Sequence, residues 1–191
     1  MNDQINETPT LRVIVNRIAD LIDRRLQPSD VASLRRLKPD DIDSPAFWRI
    51  AAVELEQALD ASGPIRDQRE LRWAAIIQTL AMLDGFHAPG RKLGYALAEA
   101  DLSDQRFLKL LRAHDRGLLD SVRTVTHYLS TKAVPVDCHE IALLILSDGR
   151  SDEDSVRRSI ARDLSLLKTP KAAKSLEFWE GSTLVSPACL S

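Results

Sequence analysis

Cysteine is nearly absent from this chain: Cys138 and Cys189 are the only two among 191 residues. They form neither a CxxC pair nor part of a spaced Cys/His set, which argues against a zinc ribbon or a disulfide scaffold and predicts free thiols in a reducing compartment. Aromatic residues are scarce as well, at 5%, too few for a repeated stacking platform that holds unpaired bases. The longest apolar run, residues 141–146, is far too short to span a bilayer. The amino terminus lacks the basic start, apolar centre and small-residue cleavage site of a secretory signal, so the expected compartment is the cytosol, with no membrane partner. Positive charge is not in excess either. The 26 Lys and Arg against 28 Asp and Glu give a net charge of -2, whereas an autonomous nucleic-acid binder is usually strongly basic. Any grip on phosphates must come from a local patch.

What is present is helical periodicity. Hydrophobic residues make up 44% and charged residues 28%, ordinary globular usage that speaks against wholesale disorder. From Thr8 to Leu26 the apolar residues Leu11, Ile14, Val15, Ile18, Leu21 and Ile22 recur three and four apart, with Pro9 suited to the first turn. Ser29 and Asp30 can cap a short helix carrying Leu34 and Leu37. Ser44 and Pro45 start a helix through Phe47, Ile50, Leu55 and Leu59, which residues 62–64 break. A further helix is expected from about Asp67 to Leu83, closed by Asp84 and Gly85.

Residues 86–91 read as the most loop-like interior segment. Short helices then follow around residues 93–100, from Ser103 to about Asp115, and from Leu118 to Ser130, with Gly117 between the last two. Asp137 introduces a nearly all-apolar helix to Leu146, and a last helix carries Val156, Ile160, Leu164 and Leu167. No strand-like alternation occurs, so the fold class is all-α, about nine helices and no β-sheet. The segment 168–191 reads as a tail.

Chemistry is largely missing. His87, His114, His127 and His139 do not pair at metal-ligand spacing on a helix face. His139-Glu140 opens like a zincin helix, but Leu143 stands where the second histidine belongs. The acidic stretch 148–154 is a poor calcium loop and a good helix start. The run from Gly90 to Gly94 lacks the GK[ST] ending of a P-loop. No catalytic residue, metal or cofactor is expected.

The basic residues say more. At 100° per residue on the helix from Ser103, Arg106, Lys109, Arg112 and Arg116 fall on one side, while Phe107, Leu108, Leu110 and Leu111 cluster on the other. Such a cationic ridge is in most helices merely the solvated face. Arg123, Arg91 and Lys92, with Arg35, Arg36, Lys38 and Arg49 from the first half, extend it if the fold aligns them. With few aromatics, a nucleic acid held here is held by its phosphates, with little sequence preference.

Five segments, in order and spacing, resemble the CasB family, the small subunit of the type I-E CRISPR interference complex (Cascade). They are residues 34–36 (Leu-Arg-Arg), 44–49 (Ser-Pro-Ala-Phe-Trp-Arg), 93–98 (Leu-Gly-Tyr-Ala-Leu-Ala), 106–113 and 122–127. The resemblance covers roughly residues 30 to 165. It implies a non-catalytic protein of two small helical bundles, an amino-terminal lobe over 1–100 and a carboxy-terminal bundle over 101–167. Implied partners are the other Cascade subunits, a second copy of the chain, the crRNA, and target DNA including its displaced strand. Arg35, Arg36 and Arg49 match basic positions of the first lobe, and Arg106, Arg112 and Arg123 those of the second. Tyr95 stands where members often carry arginine, and Thr124 replaces one of a frequent basic pair; Arg91 or Lys92 can compensate. The rival expectation is a helical adaptor that binds only proteins, its arginines solvated or in surface ion pairs worth little each.

Overall fold

The computed structural model describes residues 10–38 and 42–168. Pro9, Cys189 and the tail beyond Lys168 lie outside them. The described residues form nine helices: α1 (Leu11–Arg24), α2 (Pro28–Arg35), α3 (Pro45–Glu54), α4 (Pro64–Met82), α5 (Leu93–Glu99), α6 (Asp104–Arg112), α7 (Asp115–Thr131), α8 (Cys138–Ser147) and α9 (Glu153–Lys168). Among them His87 and Val136 form an isolated bridge of strand type, and none forms a strand. The fold is all-α.

Two helices organise the packing. The α4 helix touches α1, α2, α7 and α8, and α8 touches α1, α4, α5, α7 and α9. Both are buried on most sides, as the unbroken run of buried residues from Trp73 to Ala81 records for α4. On α1, Ile14, Val15, Ile18 and Ile22 are buried, the spacing that gives an amphipathic helix one apolar stripe. The buried side chains form one cluster from Ile14 to Leu164. Helix α5 lies within the first hundred residues yet packs chiefly against α9.

Several helix ends differ from the sequence expectation. Helix α4 starts at Pro64, because Gly63 takes a left-handed backbone (φ 58°) as the N-cap and proline suits the first position. Gln27 is the N-cap of α2, with Pro28 its first residue. The largest difference concerns α6, which ends at Arg112 with Ala113 extended (ψ 143°). Gly117 consequently lies inside α7, and Arg116 belongs to α7 rather than to the α6 ridge.

The cause is tertiary. The buried Arg157 guanidinium donates to the carbonyl oxygens of Leu111 and, at 2.8 Å, Ala113. These are the orphan acceptors of a helix end. Asp148 meanwhile accepts from the Asp115 N–H at 2.8 Å and opens α7.

The loop over residues 86–92 is pinned to the segment before α8. Val136 donates to the Phe86 carbonyl and Ala88 to that of Val136, both at 3.0 Å. The buried Asp137 carboxylate accepts from Gly90 N–H at 2.8 Å, from Arg12 at 2.7 Å, and from His139 N–H at 3.0 Å as the N-cap of α8. Burial alone would push the Asp137 carboxyl upward. The hydrogen bonds from Gly90, Arg12 and His139 outweigh it and hold its pKa below the ordinary value.

Candidate nucleic-acid interface

Helices α6 and α7 lie side by side, and a groove of about 350 Å³ runs between them. Arg106 and Lys109 of α6 line one wall, and Thr124, His127, Tyr128 and Thr131 of α7 the other. Leu102 and Val125 complete its apolar floor. A second groove, of about 670 Å³, lies between Arg35 of α2, the loop after α4, and the other side of α7, where Arg123 stands. Thr124 and His127 border both grooves. The two hollows thus adjoin across the exposed edge of α7, and together they bring Arg35, Arg123, Arg106 and Lys109 onto one stretch of surface.

The charges there are mostly unspent. Among the described residues no carboxylate pairs with Lys109 or Arg123, nor with exposed Arg36 and Arg112 that follow Arg35 and Lys109 along their helices. Arg106 sits over the Tyr128 ring, 5.6 Å from its centroid, a cation–π contact that leaves the guanidinium edge available to an anion. Arg35 is engaged on one side only. Its Nε donates to the Ala81 carbonyl at 2.7 Å, and its terminal nitrogen meets Asp84 at 3.1 Å with the side chain 49% exposed.

The remaining sequence candidates sit in ion pairs. Arg49 pairs with Asp30 at 2.6 Å, and its side chain is 58% exposed. Arg91 pairs with Glu99. Lys92 donates to Asp163 at 3.0 Å. This hydrogen bond first, and the carboxylate charge second, raise the Lys92 pKa above its ordinary value. Lys92 and Arg91 flank α5, where they tie the loop to α5 and α9. The Arg49 and Arg91 pairs are exposed and worth little, whereas Lys92 neutralises the buried Asp163 and is held there.

Sequence reasoning missed Thr124, His127, Tyr128 and Thr131 as a lining. The signal was there: they recur at helical spacing along one face of α7. Only the placement of α6 beside that face turns it into a wall.

One cluster offers possible metal ligands. His114, Asp148 and Glu153 hold ligand atoms within 4.8 Å of one another. Arg157 already occupies the cluster, at 3.1 Å from Asp148 and 2.9 Å from Glu153, and Arg72 donates to the Asp148 carbonyl at 2.9 Å. A guanidinium that neutralises both carboxylates competes with a cation, so the cluster fits a structural ion network better than a metal site. His139 and Glu140 are accounted for too. His139 Nδ1 lies 3.1 Å from Arg12, and Glu140 accepts from the Leu93 N–H at 2.6 Å, serving the start of α5. Burial leaves the Glu140 carboxyl pKa raised. Cys138 is a buried free thiol pushed up to about 12 by burial, which makes it inert. No described helix is long and apolar enough to cross a membrane.

Fold and grooves together define an all-helical protein whose exposed cations converge along one helix edge. The profile of a family described as CRISPR-associated protein Cse2 matches residues 30–164, which include α3 to α8, most of α2 and most of α9. The chain belongs to this family, the Cse2 or CasB subunits of the type I-E Cascade complex. Among solved structures it resembles a crystal structure of CasB from M. ruber, with a TM-score of 0.60 over 90% of this chain and 98% of that one. At 16% identity that likeness establishes the fold. No curated protein matches the chain.

Proposed function

We propose that this chain is a non-catalytic small subunit of Cascade that grips nucleic acid by its backbone phosphates. In that role it steadies the crRNA–target hybrid and the displaced DNA strand in antiviral defence. The observation that carries the reading is the pair of adjoining grooves sharing Thr124 and His127, which gathers Arg35, Arg123, Arg106 and Lys109 in a chain of net charge -2. Arg36 and Arg112 flank this track, Arg49 and Arg91 join it by exchanging their carboxylates for phosphate, and Lys92 joins it with its remaining ammonium protons while staying on the buried Asp163. The lobes over 1–100 and 101–167 meet along the track, the first giving Arg35, Arg36, Arg49, Arg91 and Lys92 and the second Arg106, Lys109, Arg112 and Arg123.

The mechanism is electrostatic. Guide pairing reads the sequence, and opening the duplex is close to balanced, so contacts to the strands' backbones can tip it. A positive track along the displaced strand slows its return. The partners in this account are the other Cascade subunits, a second copy of the chain, crRNA and target DNA, within the cytosol.

Fluorescence anisotropy with single-stranded and duplex DNA across a salt series tests the proposal. If about four side chains neutralise phosphates on a single strand, binding weakens roughly fifty-fold between 50 and 200 mM salt. Replacing Arg106, Lys109 and Arg112 together by alanine weakens binding and flattens that dependence. A helical adaptor that binds only proteins would show no salt-dependent binding.

A further inference from the structure

We propose that the groove between α6 and α7 seats an unpaired base of a single strand, while Arg106 and Lys109 at its rim hold the adjacent phosphates. This rests on the nucleic-acid reading and deepens it, since scarce aromatics alone point to phosphate contacts only. The groove joins two chemistries. Its floor is apolar, built from Leu102, Val125 and the half-buried Tyr128 ring, and its rim carries cations. Although acidic residues outnumber basic ones in the chain, none stands among the described residues that line this groove. The occupant that complements it has a flat, weakly polar body and an attached anion, which is the description of a nucleotide.

The Tyr128 side chain is fixed for the task. Its hydroxyl donates to the Ala100 carbonyl at 2.9 Å, so the ring is already ordered and little further entropy is lost on stacking. Arg106 and Lys132 lie over it, 5.6 and 5.8 Å from its centroid, and a seated base takes the place of one of them as that cation turns to the phosphate. The volume, about 350 Å³, is that of a small ligand cleft. Continuity matters as well: through Thr124 and His127 the groove opens onto the hollow holding Arg35 and Arg123, so a strand with one base seated can continue along the track. A base within a duplex is stacked on its neighbours and cannot enter, hence single strands are preferred over duplex.

The test uses the full chain and two single strands of equal length and charge, oligothymidylate and an oligomer of abasic residues, at one salt concentration. The wild-type chain is expected to bind the base-bearing strand about ten-fold more tightly, within the range attributed to stacking one base on an aromatic ring. Thr131→Met fills the groove from an exposed position without adding an aromatic face and leaves every cation in place. It should abolish that preference while binding of the abasic strand is unchanged, and Thr131→Leu serves if the longer side chain disturbs folding. Equal wild-type affinity for the two strands, or a preference that survives both substitutions, overturns the base seat and leaves the phosphate reading standing. Absence of salt-dependent binding to either strand overturns both. Should the substitutions impair assembly with a partner protein and not strand binding, the groove takes a protein side chain and the proposal fails.

Discussion

Gly94 of α5 lies so close to α9 that a β-carbon on it would stand 2.5 Å from the Ile160 carbonyl oxygen and 2.7 Å from the Leu164 nitrogen. Those atoms are backbone and cannot step aside. The Leu-Gly pair of the family resemblance is thus a packing requirement, the only way α5 and α9 can meet at this distance. Gly94→Ala is expected to cost about 1–3 kcal/mol through overpacking. Calorimetry should show the melting temperature falling by roughly 2–4 °C for each kcal/mol.

Two helices end on a left-handed residue that is not glycine. After α5, Asp101 has φ 57°, and after α7, Ala133 has φ 53°. In each case the following residue, Leu102 or Val134, donates to a carbonyl in the last turn, Leu97 or Leu129, at 3.0 and 3.1 Å, which is the Schellman pattern that favours glycine. Ala133→Gly should stabilise the protein by about 1 kcal/mol, and Asp101→Gly by less, because aspartate tolerates this region better. Urea denaturation would register both as higher midpoints.

The arginine–carboxylate network under α6 gives the opposite expectation. Arg157 is 9% exposed and Asp148 4%, and the arginine also satisfies the end of α6. Arg157→Met should destabilise by about 3 kcal/mol, since it leaves the buried Asp148 with only Arg72, at 3.9 Å, as an arginine partner and orphans the carbonyls at the end of α6. The same substitution should loosen the α6–α7 connection, visible as faster amide hydrogen exchange around residues 111–116.

Stability should fall with mild acid. His87 accepts the Cys138 N–H on Nδ1 at 3.2 Å and faces the Asn16 side-chain oxygen with Nε2 at 3.0 Å, an arrangement that needs the neutral ring. Burial lowers the pKa of His87, and burial followed by the Arg12 charge lowers that of His139. A histidine with a folded pKa below its unfolded value of 6.5 stabilises fully above that pH. The contribution is lost as pH falls below 6.5 toward the folded value. Glu140, its pKa raised by burial, acts in the reverse sense at lower pH, nearer 4.5. The urea midpoint should therefore drop as the pH falls below about 6.5, and His87→Gln should lessen the drop.

The helices themselves were legible because burial imprints a period: Ile14, Ile18 and Ile22 give α1 away without any partner. What could not be read is what one part of the chain does to a distant part. The break after Arg112 is made by Arg157, and nothing local at Ala113 signals it, so a ridge drawn through Arg116 was bound to run too far. Lys109 and Arg106 did stay on one face, since α6 alone fixes their spacing. Their meeting with Arg123 and Arg35 depends on α7 packing against both α4 and α6, and no sequence spacing encodes that. Arg49 and Arg91 look as free as Arg123 in sequence, and the acidic neighbours that engage them, Asp30 and Glu99, come close only after folding.

The central claim is that basic side chains from separate helices act as one phosphate track, and the salt dependence of single-strand binding measures it most directly. Arg106→Ala and Arg123→Ala stand on different helices and different grooves. If both touch the same strand, each should flatten the logarithmic salt slope by about 0.7 and the double variant by about 1.4. A slope that neither substitution changes, or a wild-type chain whose binding ignores salt, would contradict the account.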